Sequence, residues 1–449
     1  MKRSIILAAL MLCAAVSARA QKEDIIKTGY NFGPLPAIAY DADKGFQYGA
    51  LLQIYNYGDG HNYPNYDHYT YLEYSRFTKG SQLIQVQHDN KELIPGIRWS
   101  SSLRISLDKA FDFYGFNGYQ SYYDASRMQA GQDGLAYGFS PFYRMMKNEY
   151  SIKSDLLGKI NDNLQWGFGV FARYFQTGDI DYASVNKGKD EAVMFPGEIP
   201  TLFSIYKKYG IISEEEADGG FSSGFRTGLV YDTRDKEGAP TRGIWAEGHF
   251  TASLPYISKI PYYRYSFTWR QYFPVIGNDV LTFAYRLNYE GNIGKKVPFY
   301  ALPYITSLGS KCDFDGMGGY RSARGIMRTR VVGLDMMAYT VEFRWRPIRF
   351  QMLNQNFGIG LSVFSDGCMA TRCLDMKTLS FVSATPVPVF GQDKETLHSA
   401  VGSGLRFIMN ENFIVAAEYG IPVTHFMKNS PLYNQDGTGA FYINLGYTF

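Results

Sequence analysis

Residues 262–274 alternate strictly, with Tyr263, Tyr265, Phe267 and Trp269 on one face and Arg264, Ser266, Thr268 and Arg270 on the other. The same period of two sets Leu281, Phe283, Tyr285, Leu287 and Tyr289 against Thr282, Ala284, Arg286, Asn288 and Glu290. It sets Met337, Tyr339, Val341, Phe343 and Trp345 against Ala338, Thr340, Glu342, Arg344 and Arg346. A two-residue period is that of a β-strand with unlike faces. Similar segments bounded by turn residues predict strands near 36–42, 46–57, 67–77, 81–90, 97–107, 141–157, 164–175 and 222–232. Eight more fall near 243–253, 262–274, 279–291, 335–347, 356–367, 398–409, 412–421 and 438–449, sixteen in all.

Two environments suit such strands. A soluble sandwich would turn the charges outward. A membrane barrel must turn them inward, since an Arg on the lipid face at mid-bilayer costs roughly 2–4 kcal/mol. The chain ends decide between them. Lys2 and Arg3, an apolar run from Ile5 to Val16, and Ser17-Ala18-Arg19-Ala20 form a secretory signal cleaved after Ala20. The last nine residues place Phe441, Ile443, Leu445, Tyr447 and Phe449 on one face of a final strand ending on Phe. That ending resembles the C-terminal signal by which bacterial outer-membrane barrels are recognised for assembly. The expected organisation is a signal peptide at 1–20, a short periplasmic segment at 21–35, and an all-β transmembrane antiparallel barrel of about 16 strands over 36–449. An even count returns both termini to the periplasm. The connections agree: those after strands 5, 7, 11 and 13 are long and those after even strands are short, as outer loops and periplasmic turns are.

Composition narrows the class further. Lys2, Arg3 and Arg19 of the leader account for the whole excess of 45 Lys and Arg over 42 Asp and Glu, so the mature chain is formally neutral and carries no footprint for nucleic acid. Aromatic residues make up 16%, with 37 Tyr and 32 Phe, which suits the aromatic girdles of a barrel. No mature stretch reaches the 18 or more apolar residues that a membrane helix needs. Cys312, Cys368 and Cys373 remain after processing, an odd number with bridges open between any two of them. No His lies beside them to complete a zinc site, and no cofactor is expected. In the loop at 176–221, Thr201 heads a surface helix over 200–209, and Glu214, Glu215, Glu216 and Asp218 follow it as a solvated acidic run. Six His residues offer no catalytic pattern: His88 and Asp89 are neighbours, yet adjacent strand residues point to opposite faces. No G-x-S-x-G elbow or H-E-x-x-H helix is present, so the chain does not read as an enzyme.

Between strands 11 and 12 runs Gly316-Met317-Gly318-Gly319-Tyr320-Arg321-Ser322-Ala323-Arg324-Gly325-Ile326, and strand 13 holds Phe364-Ser365-Asp366-Gly367. Tyr231-Asp232-Thr233-Arg234-Asp235 with Pro240-Thr241-Arg242-Gly243, and Val401-Gly402-Ser403-Gly404-Leu405-Arg406-Phe407, complete a set in order along the chain. Together they resemble the outer-membrane assembly and translocation superfamily of BamA, TamA and two-partner secretion transporters, the bacterial surface antigen family. Arg324 and Gly325 match the family's sixth-loop tip, with Ile326 where Phe or Tyr is usual. Asp366 matches the acidic residue of its thirteenth strand, with Gly367 one place early.

Physics alone anticipates an Arg324–Asp366 pair, because a guanidinium inside a barrel wants a carboxylate and the two can bond bidentately. Gly318, Gly319 and Gly325 would let the loop fold back tightly into the lumen. Such a pair serves equally as a structural lock or as a control on loop position.

The resemblance implies a barrel in a Gram-negative outer membrane, whose first and last strands form a weak seam that admits client barrel or surface proteins by edge pairing. Strand 1 is short and the last strand carries Gly446, both of which weaken a closing ladder. Only about 15 residues precede strand 1, too few for the POTRA domains that BamA and TamA use, so a separate periplasmic partner is expected to serve a specialised insertase or translocon. The alternative is a passive pore for small solutes, with Arg264, Arg270, Arg286, Glu290, Glu342, Arg344 and Arg346 as a hydrated lining.

Overall fold

The computed structural model describes residues 25–41, 45–78, 80–125, 141–186, 190–191, 194, 200–277, 279–309, 313–376 and 394–445. The proposed leader, Cys312, Tyr447 and Phe449 lie outside them, and Leu445 is described by its backbone alone.

The chain is a meander in which each strand pairs antiparallel with the next. Strand β1 consists of Tyr30–Pro36 and Ala39–Asp41, both paired with β2, Gly45–Asn56, in one continuous register. Then follow β3 (His68–Phe77), β4 (Gln82–Ile94), β5 (Ile97–Asp112), β6 (Arg144–Lys159), β7 (Leu164–Gly178) and β8 (Gly219–Asp232). The second half comprises β9 (Gly243–Ser253), β10 (Tyr262–Ile276), β11 (Leu281–Ile293), β12 (Asp335–Met352) and β13 (Gln355–Arg372). It ends with β14 (His398–Met409), β15 (Phe413–Pro422) and β16 (Ala440–Leu445). The sheet has seventeen strand segments, and because two of them are the halves of β1 there are sixteen strand positions. Strand β16 pairs in turn with β1, so the order of pairing returns to its start.

The alternating faces sort as a lipid-embedded barrel requires. Tyr263, Tyr265, Phe267, Leu287 and Phe343 are exposed on the outer wall. Arg264, Arg270, Arg286, Glu290, Glu342, Arg344 and Arg346 are all buried inside it. Two features depart from expectation. The first strand begins at Tyr30, six residues early, inside the stretch read as a periplasmic segment. Pro34 falls in that segment, yet a strand with one free edge accepts proline where the missing N–H faces that edge. The second departure concerns the loop after β7, whose described part packs with described parts of the loops after β5 and β11 into an apolar dome. Phe113, Phe116, Tyr206, Phe299, Tyr300 and Leu302 are buried in one cluster there. Helix α1 (Leu202–Lys208) belongs to that dome. Its Thr201 cap accepts a hydrogen bond from Ser204 N at 3.1 Å, but Leu202, Phe203 and Tyr206 are completely buried. The surface helix expected here is a core helix.

Candidate functional site

The connection between β11 and β12, described over 294–309 and 313–334, runs from the dome into the barrel. Its polar backbone has to be satisfied away from bulk water, and the wall arginines supply the donors. Arg264 donates to the carbonyls of Ala301, Leu302 and Tyr304 at 2.9–3.2 Å. Arg286 donates to those of Arg321 and Ser322 at 2.9 and 2.7 Å. Arg330, itself in the loop, reaches Gln435, Gly118 and Ser121 carbonyls in neighbouring outer connections at 2.8–2.9 Å. Of the inward charges expected to form a hydrated lining, Arg264, Arg286, Glu290 and Glu342 are bonded to this loop.

The loop tip carries the densest charge cluster. Arg324 is completely buried, and its Nε lies 2.7 Å from Asp366 Oδ2 while Nη2 lies 3.0 Å from Oδ1. The same guanidinium meets Glu342 Oε2 at 3.0 Å and Glu418 Oε1 at 2.6 Å, and its face covers the Phe364 ring at 3.4 Å. The Arg324 backbone N–H also donates to Asp366, at 2.9 Å. One cation thus ties three strands, β12, β13 and β15, through a carboxylate on each. Arg406 from β14 approaches Glu342 at 2.8 Å and Glu418 at 2.6 Å, which offsets the excess negative charge. Sequence reasoning named Asp366; Glu342 was read as lining and Glu418 was missed, although its inward parity on β15 was there to count.

Backbone shape explains the glycines. Gly318, Gly319 and Gly325 all have positive φ, at 106°, 81° and 92°. A Cβ on Gly325 would lie 2.7 Å from the Gly420 carbonyl carbon, and one on Gly318 would lie 2.0 Å from Met327 O. The tip therefore docks backbone to backbone on β15, where Gly420 also has no side chain.

A second anchor, unforeseen in the sequence, holds the other end of the loop. Asp313 Oδ1 lies 3.1 Å from Arg226 Nη1 on β8, and Arg173 of β7 also pairs with its carboxylate. Lys153 of β6 stands 3.6 Å away and donates to Ser307 O at 2.9 Å. The polarity is inverted relative to the tip: here a loop anion meets wall cations. A third polar cluster closes the outer side, where His398 Nδ1 and Asp436 Oδ1 are 2.5 Å apart and Tyr119 stacks on the imidazole at 3.7 Å. A lone His gives no sequence signal for such a site.

The opposite mouth is crossed by the β8–β9 connection. Glu237 meets Lys91 at 2.8 Å and Arg98 at 3.1 Å, and its N–H donates to Asn65. Lys236 pairs with Glu411, which also binds Arg346. Burial would raise both carboxyls, but Arg98 and Lys91 hold Glu237 far below the usual range, and Arg346 holds Glu411 down at about 2.

The seam is the least paired junction among the described strands. β16 and β1 share one register pair, Tyr442 with Asp41, at the outer end. Beside it a lumenal cavity of about 490 Å³ is lined by Leu35–Ile38 on one side and by Phe413–Val415 and Tyr442–Asn444 on the other. Phe441 and Ile443 lie on β16 as expected, Phe441 exposed on the outer wall. Cys368 is buried and Cys373 half-buried, and neither is bonded to the other. His88 packs on Trp99, while Asp89 bonds Arg98 in the lumen, so the two point apart.

A sixteen-position antiparallel sheet closed on itself, with an apolar outer wall and a loop ion-locked inside, defines an outer-membrane β-barrel. The chain belongs to the Omp85 superfamily, whose domain matches residues 93–449. Among solved structures it is similar to BamA from Haemophilus ducreyi lacking POTRA domains 1–3, at 15% identity and TM-score 0.52, over 94% of this chain and 70% of that one. It is also similar to CdiB from Escherichia coli, at 10% identity and TM-score 0.51, over 95% of this chain and 64% of that one. At these identities the likeness speaks to the fold. No curated protein matches the sequence.

Proposed function

We propose that the barrel assists insertion or export of particular outer-membrane or surface proteins through its β1–β16 seam. The observation that carries this reading is the contrast, among the described residues, between one register pair at the seam and the eight or more along most other junctions. A weakly closed edge is a ready template for an incoming strand. Outer-membrane lipid borders the seam, and a separate periplasmic partner would deliver clients. The sequence carries no ATP-binding motif, so in this reading client folding supplies the driving force.

The passive-pore alternative is disfavoured by the loop that runs into the lumen and by the crossing turn at the periplasmic mouth. Depletion of the protein followed by quantitative outer-membrane proteomics tests the choice. Selective loss of a few barrels or surface proteins supports the proposal and names the clients. An unchanged proteome, together with steady high conductance in planar bilayers, would establish the pore.

A further inference from the structure

Strand β1 has an unusual free edge. In its antiparallel register with β2 the paired residue numbers sum to a constant, from Tyr30 with Asn56 to Pro36 with Ala50. The Ala37 N–H donates to Gly49 O at 2.9 Å within that register, and Tyr57 N–H donates to Gly29 O. Hydrogen-bonded and non-bonded pairs alternate along an antiparallel ladder. Odd-numbered residues of β1 therefore bond to β2, and Tyr30, Phe32, Pro34, Pro36 and Ile38 turn their backbone groups toward the seam. Two of those five are prolines, without an N–H. A third, Ile38, spends its N–H on the Pro36 carbonyl at 3.0 Å.

The consequence follows from the solvent. A barrel parted at its seam exposes orphan N–H groups to hydrocarbon, each costing several kcal/mol. Such a cost would ordinarily zip the seam shut. Here the middle of the edge has no free donor to drive closure, and the outer end closes at Asp41 with Tyr442. Tyr30 and Phe32 keep their donors at the periplasmic end.

We infer that Pro34 and Pro36 are a specificity-determining stop on the seam edge of β1: with no N–H to give, they confine donor pairing with an incoming extended strand to Tyr30 and Phe32. The partner this edge fits is a strand that docks from the periplasm over a short stretch and then meets only side chains and carbonyls. Any segment needing a long continuous ladder on β1 is rejected. The strand-adding role belongs to the proposed function, but the state of the seam is testable without any client, so the two can fail separately.

The test is hydrogen–deuterium exchange of the full protein in lipid nanodiscs, comparing wild type with P34A, P36A and P34A/P36A. Each restored donor lets the seam ladder extend. The double variant is expected to exchange more slowly in peptides covering residues 29–41 and in the C-terminal strand, by roughly fivefold per added hydrogen bond. Unchanged exchange in both peptides, with the barrel still heat-modifiable, would overturn the proposal. Leu35→Pro serves as the mirror control, because its N–H faces β2 opposite Leu51. It must lower the unfolding temperature of the barrel, and harmless substitution there would refute the assignment of edges.

Discussion

Arg324 and Asp366 share two side-chain hydrogen bonds, 2.7 and 3.0 Å long, and a third runs from the Arg324 backbone N–H to the same carboxylate. The pair sits completely buried where the inserted loop meets the wall. Removing one member of a buried pair typically costs about 3–5 kcal/mol, because the other stays charged without compensation. Arg324→Ala is expected to lower the temperature at which the barrel unfolds in heat-modifiability gels and to expose residues 313–331 to protease. Arg324→Lys should rescue little, since one ammonium cannot match a fork that reaches three carboxylates.

The Asp313 anchor predicts a separable effect. Asp313→Asn leaves Arg226 and Arg173 without their loop anion while the tip remains docked. Limited proteolysis should then cut the loop near Asp313 and spare the Gly325 tip. In planar bilayers the double variant Asp313→Asn/Arg324→Ala is expected to conduct more than either single variant, because both ends of the loop are released.

Glycine substitutions at the loop tip should rank by space. Gly325→Ala drives a Cβ to 2.7 Å from Gly420, backbone against backbone, whereas Gly319→Ala meets Arg328 Cβ at 3.4 Å, an ordinary van der Waals contact. Both carry the strain of positive φ. Thermal unfolding should show Gly325→Ala as clearly the more destabilising.

Acid should loosen the periplasmic mouth. Glu237 and Glu411 have folded pKa values below the ordinary 4.5. A depressed carboxyl contributes stability that is full above its unfolded pKa and is lost as pH falls through the folded value. The contribution is therefore intact at pH 7 and declines from about pH 4.5 toward about 2. Exchange of the 233–242 connection should speed up in that window, and Glu237→Gln should show the fast rate already at pH 7.

Much of this architecture is legible from period-two patterning alone, because lipid outside and charge inside make each strand face unambiguous. Arg264 and Glu342 were placed in the lumen by parity with Tyr263 and Phe343. What parity cannot say is whom an inward charge will meet. Glu418 meets Arg324, and Arg226 meets Asp313, only once the loop is folded through the barrel, over separations of 94 and 87 residues. The early start of β1 escaped for a local reason: Pro34 carries turn propensity, and only the free edge of the seam makes it tolerable in a strand. Burial of the outer loops escaped as well, since Phe203 and Phe299 read as isolated aromatics until the dome assembles.

The central claim is that the β1–β16 seam must part for the protein to act. The most direct measurement places a disulfide across its described register pair, D41C/Y442C, in a background where Cys312, Cys368 and Cys373 are serine, with the outer-membrane proteome quantified under oxidising and reducing conditions. The account predicts that the closed tether reproduces the selective client losses of depletion and that reduction restores them. A quantitatively formed tether that leaves the proteome unchanged, in cells where depletion does alter it, would contradict the claim.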